Sequence, residues 1–353
     1  MQFGVYSVGD CRPDPVTGRS PGGRERIAGL LRIAHAAEQS GFDVFALGEH
    51  HTPPYAVSSP VPVLAHLAAT THTVTLSTAT TLVTTNDPVR LAEDYATLQL
   101  LANGRMDVML GRGVDLNGYR LFGRNPEDGA RLAAENYDLL RRLWDEQPVT
   151  WQGSFRSPVD SVTSTPRPLD GTPPFVWHGS THSRETAELA AMHGDGFFAM
   201  NSFWPREHTR RIVAVFRDRY AHHGHGSADQ AVVGLGGHVF VRANSQDAVR
   251  DFRPYFHASS GYGGASLDEA MASAPLVVGS PQQVIDGVLG FREYAGDYQR
   301  QLFAIDHGGL PLAVVLEQID MLGADVLPVL RRETGGPAGD GSLRRGSSHV
   351  GTG

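Results

Sequence analysis

The chain has 353 residues, of which 41% are hydrophobic and 19% charged, so it has ample material for a folded core. Its net charge of -8 excludes the broad basic face that a nucleic-acid binder uses to neutralise phosphates. The sequence contains no lysine, which excludes Schiff-base catalysis and a P-loop lysine. Its only cysteine is Cys11, which excludes an intramolecular disulfide and a thiolate metal cluster.

The first residues, MQFGVYSVGD, lack the basic and apolar regions of a signal peptide. No apolar run in the sequence reaches the length of about 18 residues that a membrane-spanning helix needs. We therefore expect a cytoplasmic protein that neither spans nor binds a membrane.

Short apolar runs alternate with amphipathic segments along most of the chain, which is the pattern of a parallel α/β fold. The first amphipathic segment shows a helical period, because Ile27, Leu30, Leu31 and Ala34 recur on one face. The predicted strands are 3–7, 44–47, 74–77, 106–110, 175–177, 196–199, 232–241 and 301–305. The predicted helices are 24–39, 88–101, 183–193, 205–222, 281–295 and 313–330.

Eight strand-helix units favour a TIM (β/α)8 barrel over an open doubly wound sheet. Residues 147–173 and 257–275 are predicted to be insertions in the βα loops and could form a lid over the active site. We expect one domain over residues 1–333. Residues 334–353 contain few apolar side chains and are predicted to be a disordered C-terminal tail.

Catalytic residues of such barrels follow the carboxyl ends of the strands, which draws attention to Gly48-Glu49-His50-His51. Because successive residues of a strand point to opposite faces, Glu49 and His51 can share a side but His50 and His51 cannot easily bind one metal. A histidine here is suited to proton transfer, and a neighbouring carboxylate can fix its tautomer. The alternative is a set of polar loop residues with satisfied hydrogen bonds.

Two further strand ends carry small or cationic residues. The segment Ser77 to Thr81 would let a flat ring approach the backbone, although a surface strand end rich in threonine is also possible. In Gly111-Arg112-Gly113 the guanidinium could grip a phosphate with two parallel donors, or form a salt bridge on the rim.

The turn from Gly179 to Thr186 leads into a predicted helix and is rich in hydroxyl groups. Free backbone N–H groups and the helix dipole make such a helix start an anion site, to which Ser183 and Thr186 could add hydroxyl donors. A simple N-cap at Ser183 is the alternative, and the two interpretations are compatible. Asn201 and Trp204 follow the sixth strand and could line a substrate pocket or pack in the core.

The sequence resembles the bacterial luciferase-like flavin monooxygenase family. The resemblance covers nearly the whole chain, and its most specific part runs from Asp87 to Gly113. The segments that carry it are GEHH at 48–51, the run at 78–113, STHSRET at 180–186, GSPQQVIDGV at 279–288 and the closing unit at 306–331.

The resemblance implies a TIM barrel that binds FMN, in its reduced form, from a separate flavin reductase. It implies that oxygen forms a flavin hydroperoxide, which oxidises a small organic substrate such as an aldehyde or a natural-product intermediate. A homodimer is expected, because many relatives dimerise. Two alternatives are hydride transfer with a deazaflavin and a flavin-binding protein without turnover. A metal-dependent hydrolase is disfavoured, and no metal is expected.

The residue roles carried over from the family are expectations of the same kind. His50 falls at the catalytic histidine, beside Glu49, and Ala79-Thr80 falls where several members have a non-prolyl cis peptide against the flavin ring. The expected phosphate contacts are Arg112, Ser180, Ser183 and Thr186, and the expected substrate-pocket residues are His51, Asn201 and Trp204. Light-emitting members carry a cysteine immediately before the arginine, and Gly111 in that place argues against light emission.

Overall fold

Eight parallel β-strands form the centre of the computed structural model, which describes residues 1–259, 261–306 and 308–335. Numbered in chain order, β1 to β8 are Gln2–Ser7, Val44–Leu47, Thr75–Thr78, Asp107–Gly111, Phe175–Ser180, Gly196–Ala199, Val233–Val241 and Arg300–Asp306. They pair in the order β3-β2-β1-β8-β7-β6-β5-β4. A parallel bridge between Leu76 and Met106 brings β3 back to the start of β4 and closes the ring. The predicted TIM-type barrel is confirmed.

The seam between β3 and β4 is held by a side chain as well as by the backbone. The hydroxyl of Thr78 accepts a hydrogen bond from the backbone N–H of Met109 at 2.9 Å and donates one to the carbonyl of the same residue at 2.8 Å. One threonine thereby satisfies two backbone groups that a regular ladder would pair.

Helices follow the strands and cover the outside of the barrel, as expected for parallel βα units. The helix after β3 begins with Pro88, and the side chain of Asp87 accepts a hydrogen bond from Val89 N, which is a standard helix start. Within the described residues, no helix combines the length and apolar character needed to cross a membrane. The α-helices are Gly23–Gln39, Pro60–Thr70, Pro88–Leu101, Leu116–Leu121, Gly129–Asp145, Arg184–His193, Arg206–His222, Ser245–Ala258, Leu267–Ser273, Pro281–Gly290, Arg292–Ala295, Leu312–Met321 and Leu327–Thr334. Short 3-10 helices are Pro126–Asp128, Leu169–Gly171 and Ala228–Gln230, and Leu322–Val326 is a π-helical turn.

The amino-terminal end of the barrel is filled by a buried polar network around Arg300, which is 0% exposed. Its Nε and Nη2 donate to Gln2 Oε1 at 3.0 and 2.8 Å, and its Nη1 donates to Asp107 Oδ1 at 3.1 Å. Ser77 donates to the same carboxylate, and the guanidinium lies 4.7 Å from the ring centre of Trp177. The cation and the carboxylate are therefore neutralised and hydrogen-bonded inside the barrel.

The strand Leu276–Gly279 was absent from the predicted elements. It pairs in parallel with His238–Val241, the upper half of β7, whereas the lower half of β7 pairs with β8. Three smaller strands were also absent from the predicted elements. Thr81–Leu82 pairs with the end of β4, and Val149–Trp151 and Val159–Val162 form a hairpin within the first predicted insertion.

The last helical region is longer than predicted. It continues from Leu312 through the π-helical turn to Thr334, one residue past the predicted end of the domain at 333. The predicted disordered tail at 334–353 lies, from residue 336 onward, outside the described residues.

Candidate active site

A cavity opens at the carboxyl ends of the strands, where the loops after β2, β3, β4 and β5 converge. These loops come from distant parts of the sequence, and closure of the barrel brings them together. Nine of the eleven predicted site residues line this cavity: Glu49, His50, His51, Ala79, Thr80, Arg112, Ser180, Ser183 and Thr186. Within the described residues, the cavity lining includes no side chain from the predicted insertions at 147–173 and 257–275.

Glu49 is buried and fully hydrogen-bonded. Its Oε1 lies 2.8 Å from His51 Nε2 and accepts a hydrogen bond from Asn86 Nδ2 at 2.9 Å, and its Oε2 accepts one from the backbone N–H of Leu82 at 3.1 Å. The side chains of Glu49 and His51 therefore lie on the same side, as the strand geometry predicts. The carboxylate that we expected to orient His50 is bonded to His51 instead.

His50 is held by stacking rather than by a carboxylate. Its ring lies 3.9 Å from that of Tyr55, with an angle of 17° between the planes. Burial first and then the charge of the neighbouring His51 lower the pKa of His50, and Asp115 opposes them, which leaves it at about 4. His50 is therefore neutral at pH 7. Its Nδ1 is buried and has no hydrogen-bond partner in the part of the chain that the structure describes.

Thr80 fills a narrow slot between two glycines on the floor of the cavity. A Cβ added to Gly111 would lie 2.3 Å from Thr80 Oγ1, and one added to Gly179 would lie 2.6 Å from Thr80 Cγ2. Neither position can take a side chain unless Thr80 moves. The Ala79-Thr80 peptide bond is cis, as the resemblance predicts.

The half-buried side chain of Arg112 faces the start of helix Arg184–His193 across the cavity. Across residues 1–259, 261–306 and 308–335, its guanidinium forms no hydrogen bond or ion pair. An arginine without a carboxylate partner at a cavity wall is a natural phosphate ligand.

The turn before this helix is ordered by its hydroxyl groups. Ser180 Oγ accepts a hydrogen bond from Ser183 N at 3.0 Å, and Ser183 Oγ accepts one from Thr186 N at 3.1 Å. Ser183 is thus the N-cap, as the alternative interpretation of this turn had it. Ser183 Oγ also donates to Glu185 Oε2 at 2.8 Å.

Asn201 and Trp204 lie outside the cavity lining. Asn201 is buried, and its Oδ1 accepts a hydrogen bond from Gly236 N at 2.9 Å, so it connects the end of β6 to β7. Trp204 stacks on His208 with ring centres 4.7 Å apart and lies 5.5 Å from His182, which does line the cavity. Neither of these two predicted pocket residues lines the cavity, and their place in the substrate pocket stays a prediction.

Several lining residues were missed by the sequence reasoning. They lie on the segment after β4 or at strand ends that offered no polar signal: Val8, Leu82, Val114, Asp115, Tyr119 and Met200. The aspartate-capped helix Leu116–Leu121, directly after the glycine-arginine-glycine segment, was the available clue.

The lining suits a ligand with an anionic end and a flat, mainly apolar body. The guanidinium and the helix start supply donors at one side, while the glycine-flanked floor and apolar side chains supply the rest. The orphaned Nδ1 of His50 offers a further polar contact. Within the described ranges, no three His, Cys, Asp or Glu side chains come together as a metal site.

Residues 1–298 match the family described as luciferase-like monooxygenase. The chain belongs to this family. Among curated relatives of this luciferase-like chain, the F420-dependent glucose-6-phosphate dehydrogenase of Nakamurella multipartita is 30% identical over 54% of the chain and 57% of that enzyme. The oxygenase component of a flavin-dependent trigonelline monooxygenase from Acinetobacter baylyi is 23% identical over 79% of the chain and 83% of that protein.

The alignments with the first relatives cover only part of the length of those proteins. The aligned part of the luciferase-like chain spans 49% of an uncharacterised Sinorhizobium fredii protein and 57% of the Nakamurella enzyme, about half of each. The monooxygenase RslO1 from Streptomyces bottropensis superposes with a TM-score of 0.82 over 93% of the chain and 99% of its own length. At 24% identity this similarity supports the fold.

Proposed function

We propose that the protein is a monooxygenase that uses reduced FMN and molecular oxygen to oxidise a small organic substrate. The observation that carries the proposal is the unpaired guanidinium of Arg112 facing a helix start with Ser180, Ser183 and Thr186. This donor set suits a terminal phosphate, which FMN has and riboflavin lacks. The chain's membership of the luciferase-like family supports the same cofactor class.

In this proposal the phosphate would be held by Arg112 and the helix start, and the flat part of the flavin would rest near Ala79 and Thr80. Bound reduced FMN supplies the electrons that activate oxygen. The slot formed by Gly111 and Gly179 fixes Thr80 and so fixes the floor against which a flat group packs.

His50 is proposed as the residue that handles protons. With its pKa lowered to about 4, the ring is a neutral imidazole at pH 7, and its Nδ1, unpartnered among the described residues, is available for a hydrogen bond or a proton transfer at the reacting groups. Stacking on Tyr55 keeps the ring in place, and Glu49 contributes indirectly through His51. His51 is proposed to contact the substrate beside His50.

The proposal includes a separate flavin reductase as partner, since one relative is named as an oxygenase component. A homodimer and a cytoplasmic location are further parts of it. Residues 1–333 are proposed to act as a single domain.

A second candidate function is hydride transfer with the deazaflavin F420. The specific observation in its favour is the 30% identity to an F420-dependent dehydrogenase. The same cavity could hold either ring system, so the two functions differ in cofactor and in the use of oxygen.

Binding of three cofactors tests the proposal. Purified protein should bind FMN more tightly than riboflavin and F420, as measured by fluorescence titration. Replacing Arg112 with Met should weaken FMN binding by about 10- to 100-fold, because charge-assisted hydrogen bonds of roughly 1.5–3 kcal/mol are lost, and should leave riboflavin binding within about twofold. Arg120→Met, an exposed arginine on the next helix, is the matched control and should change neither affinity.

Three results would contradict the proposal. If the protein binds no flavin, the proposed function is wrong. If it strongly prefers F420, hydride transfer replaces monooxygenation as the proposed function. Retention of FMN affinity in Arg112→Met would show that the phosphate lies elsewhere.

A further inference from the structure

Glu185 lies in the first turn of helix Arg184–His193, and its side chain folds back onto the start of the helix. Ser183 Oγ donates to its Oε2 at 2.8 Å. The pKa of Glu185 is held below its usual range, first by a hydrogen bond from its own backbone N–H and then by the Ser183 hydroxyl, with Arg112 and His182 contributing through their charge. The carboxylate therefore occupies an anion position.

The two donors that Glu185 uses, its own backbone N–H and the Ser183 hydroxyl, are among those that a phosphate at this helix start would need. A phosphate there would take first-turn N–H groups, the hydroxyl of Ser183 and the guanidinium of Arg112. One hydroxyl hydrogen cannot serve two acceptors fully, and two anions repel each other at hydrogen-bonding distance. Carboxylate and phosphate thus compete for the same place.

We propose that Glu185 is the resident anion of the phosphate site and weakens cofactor binding by competition. This inference rests on the proposed function, since it takes the phosphate of FMN as the competing ligand. A phosphomonoester carries a charge of about -1.5 to -2 at pH 7, so the carboxylate must turn away before the phosphate can be held. Glu185 is exposed and forms no ion pair within the described residues, so rotation into solvent is open to it.

A phosphate site that is occupied by the protein's own carboxylate suits a cofactor that binds and dissociates repeatedly. Each arrival of the phosphate replaces the hydrogen bonds of the carboxylate, and each departure restores them, so the helix start keeps an anion throughout. Glu185 therefore favours exchange of the flavin with a reductase over permanent retention.

The test compares FMN with riboflavin, which has the same ring and no phosphate. Glu185→Gln removes the charge and keeps the shape, and it should bind FMN about tenfold more tightly while riboflavin affinity stays within about twofold. Glu185→Ala also frees the Ser183 hydroxyl and should gain at least as much. Dissociation constants come from flavin fluorescence quenching by the full chain.

The matched control is Glu207→Gln, because Glu207 lies in the first turn of the neighbouring helix, is exposed and pairs with Arg210 at 3.2 Å. It makes the same change in net charge and should alter neither affinity. Thermal unfolding of each variant separates a capping effect from competition, since a weakened helix start lowers the melting temperature but does not tighten binding.

The inference fails if both Glu185 variants bind FMN no more tightly than the natural chain while that chain prefers FMN to riboflavin. It also fails if riboflavin affinity rises as much as FMN affinity, because the gain would not involve the phosphate. A natural chain that binds neither flavin overturns the proposed function and this inference together.

Discussion

Arg300 and Arg112 lie at opposite ends of the barrel and differ in their partners. At the amino-terminal end, Arg300, Asp107, Gln2 and Ser77 satisfy one another inside the barrel. At the carboxyl end, within the described residues, the guanidinium of Arg112 forms no hydrogen bond or ion pair. In TIM barrels generally, the amino-terminal end contributes to stability and the carboxyl end binds ligands. Substitutions at either end test whether this protein follows that division.

The largest effect is expected from Arg300→Leu. The substitution leaves the buried carboxylate of Asp107 without its cation, and breaking one side of a buried ion pair costs about 3–5 kcal/mol of unfolding free energy. Urea denaturation measures the loss. FMN affinity of the folded protein should stay within about twofold, because the network lies at the end opposite the cavity.

The double variant Arg300→Leu with Asp107→Asn is the control for this prediction. It removes both charges and should recover a large part of the lost stability. A loss below about 1 kcal/mol in the single variant would show that the pair contributes little to the difference between the two ends.

A smaller effect is expected from Gly111→Ala on the cavity floor. The new Cβ would meet Thr80 Oγ1 at 2.3 Å, and overpacking of this kind costs about 1–3 kcal/mol. Unlike the change at Arg300, it should also weaken flavin binding, because Thr80 must move. Unfolding and fluorescence titrations measure the two losses.

Adding Thr80→Ala to Gly111→Ala removes the hydroxyl that clashes and should recover part of both losses, which a double-mutant cycle quantifies. Gly290→Ala is the matched control, since nothing lies within 4 Å of its added Cβ. Equal losses of stability and flavin affinity in Gly111→Ala and Gly290→Ala would contradict the tight packing of Thr80 between Gly111 and Gly179.

The smallest effect concerns pH. Burial lowers the pKa of both His50, in the cavity, and His193, away from it, to about 4. Between the unfolded pKa of about 6.5 and the folded value, the unfolded chain binds more protons, so stability falls as pH drops through this window. Each histidine should contribute a loss of about 1–2 kcal/mol at pH 5 relative to pH 7.5.

Urea unfolding at the two pH values, for His50→Gln and His193→Gln, measures these contributions. Each substitution should reduce the loss between pH 7.5 and pH 5. An unchanged loss in His50→Gln would mean that this ring is not buried in solution.

The eight barrel strands could be predicted because each is an apolar run bounded by polar or glycine-rich segments. The strand Leu276–Gly279 is a short apolar run of the same kind, but it lies outside the alternation of eight strand-helix units, and only its pairing with β7 places it in the sheet. The antiparallel hairpin at 149–162 is likewise defined by tertiary pairing rather than by its composition.

The positions of the site residues were predictable for a related reason, since barrel closure places every strand end at one rim. The hydrogen-bonding and stacking partners of these residues were not predictable. The alternation of strand side chains pairs Glu49 with His51, but the stacking of Tyr55 on His50 and the shifted pKa of that ring depend on a loop that folds back. Glu185 gave no sequence signal, because an acidic residue in a first helical turn is ordinary.

The split pairing of β7 has a consequence for how this protein can change over evolution. The chain between helix Ser245–Ala258 and strand Leu276–Gly279 is fixed at both ends to the barrel wall. A connection anchored in this way can be lengthened, shortened or exchanged by recombination without altering the closure of the eight strands. Variation at its exposed positions can diversify the outer rim, whereas Tyr262, Leu267 and Ala270 pack inward and stay with the inherited barrel.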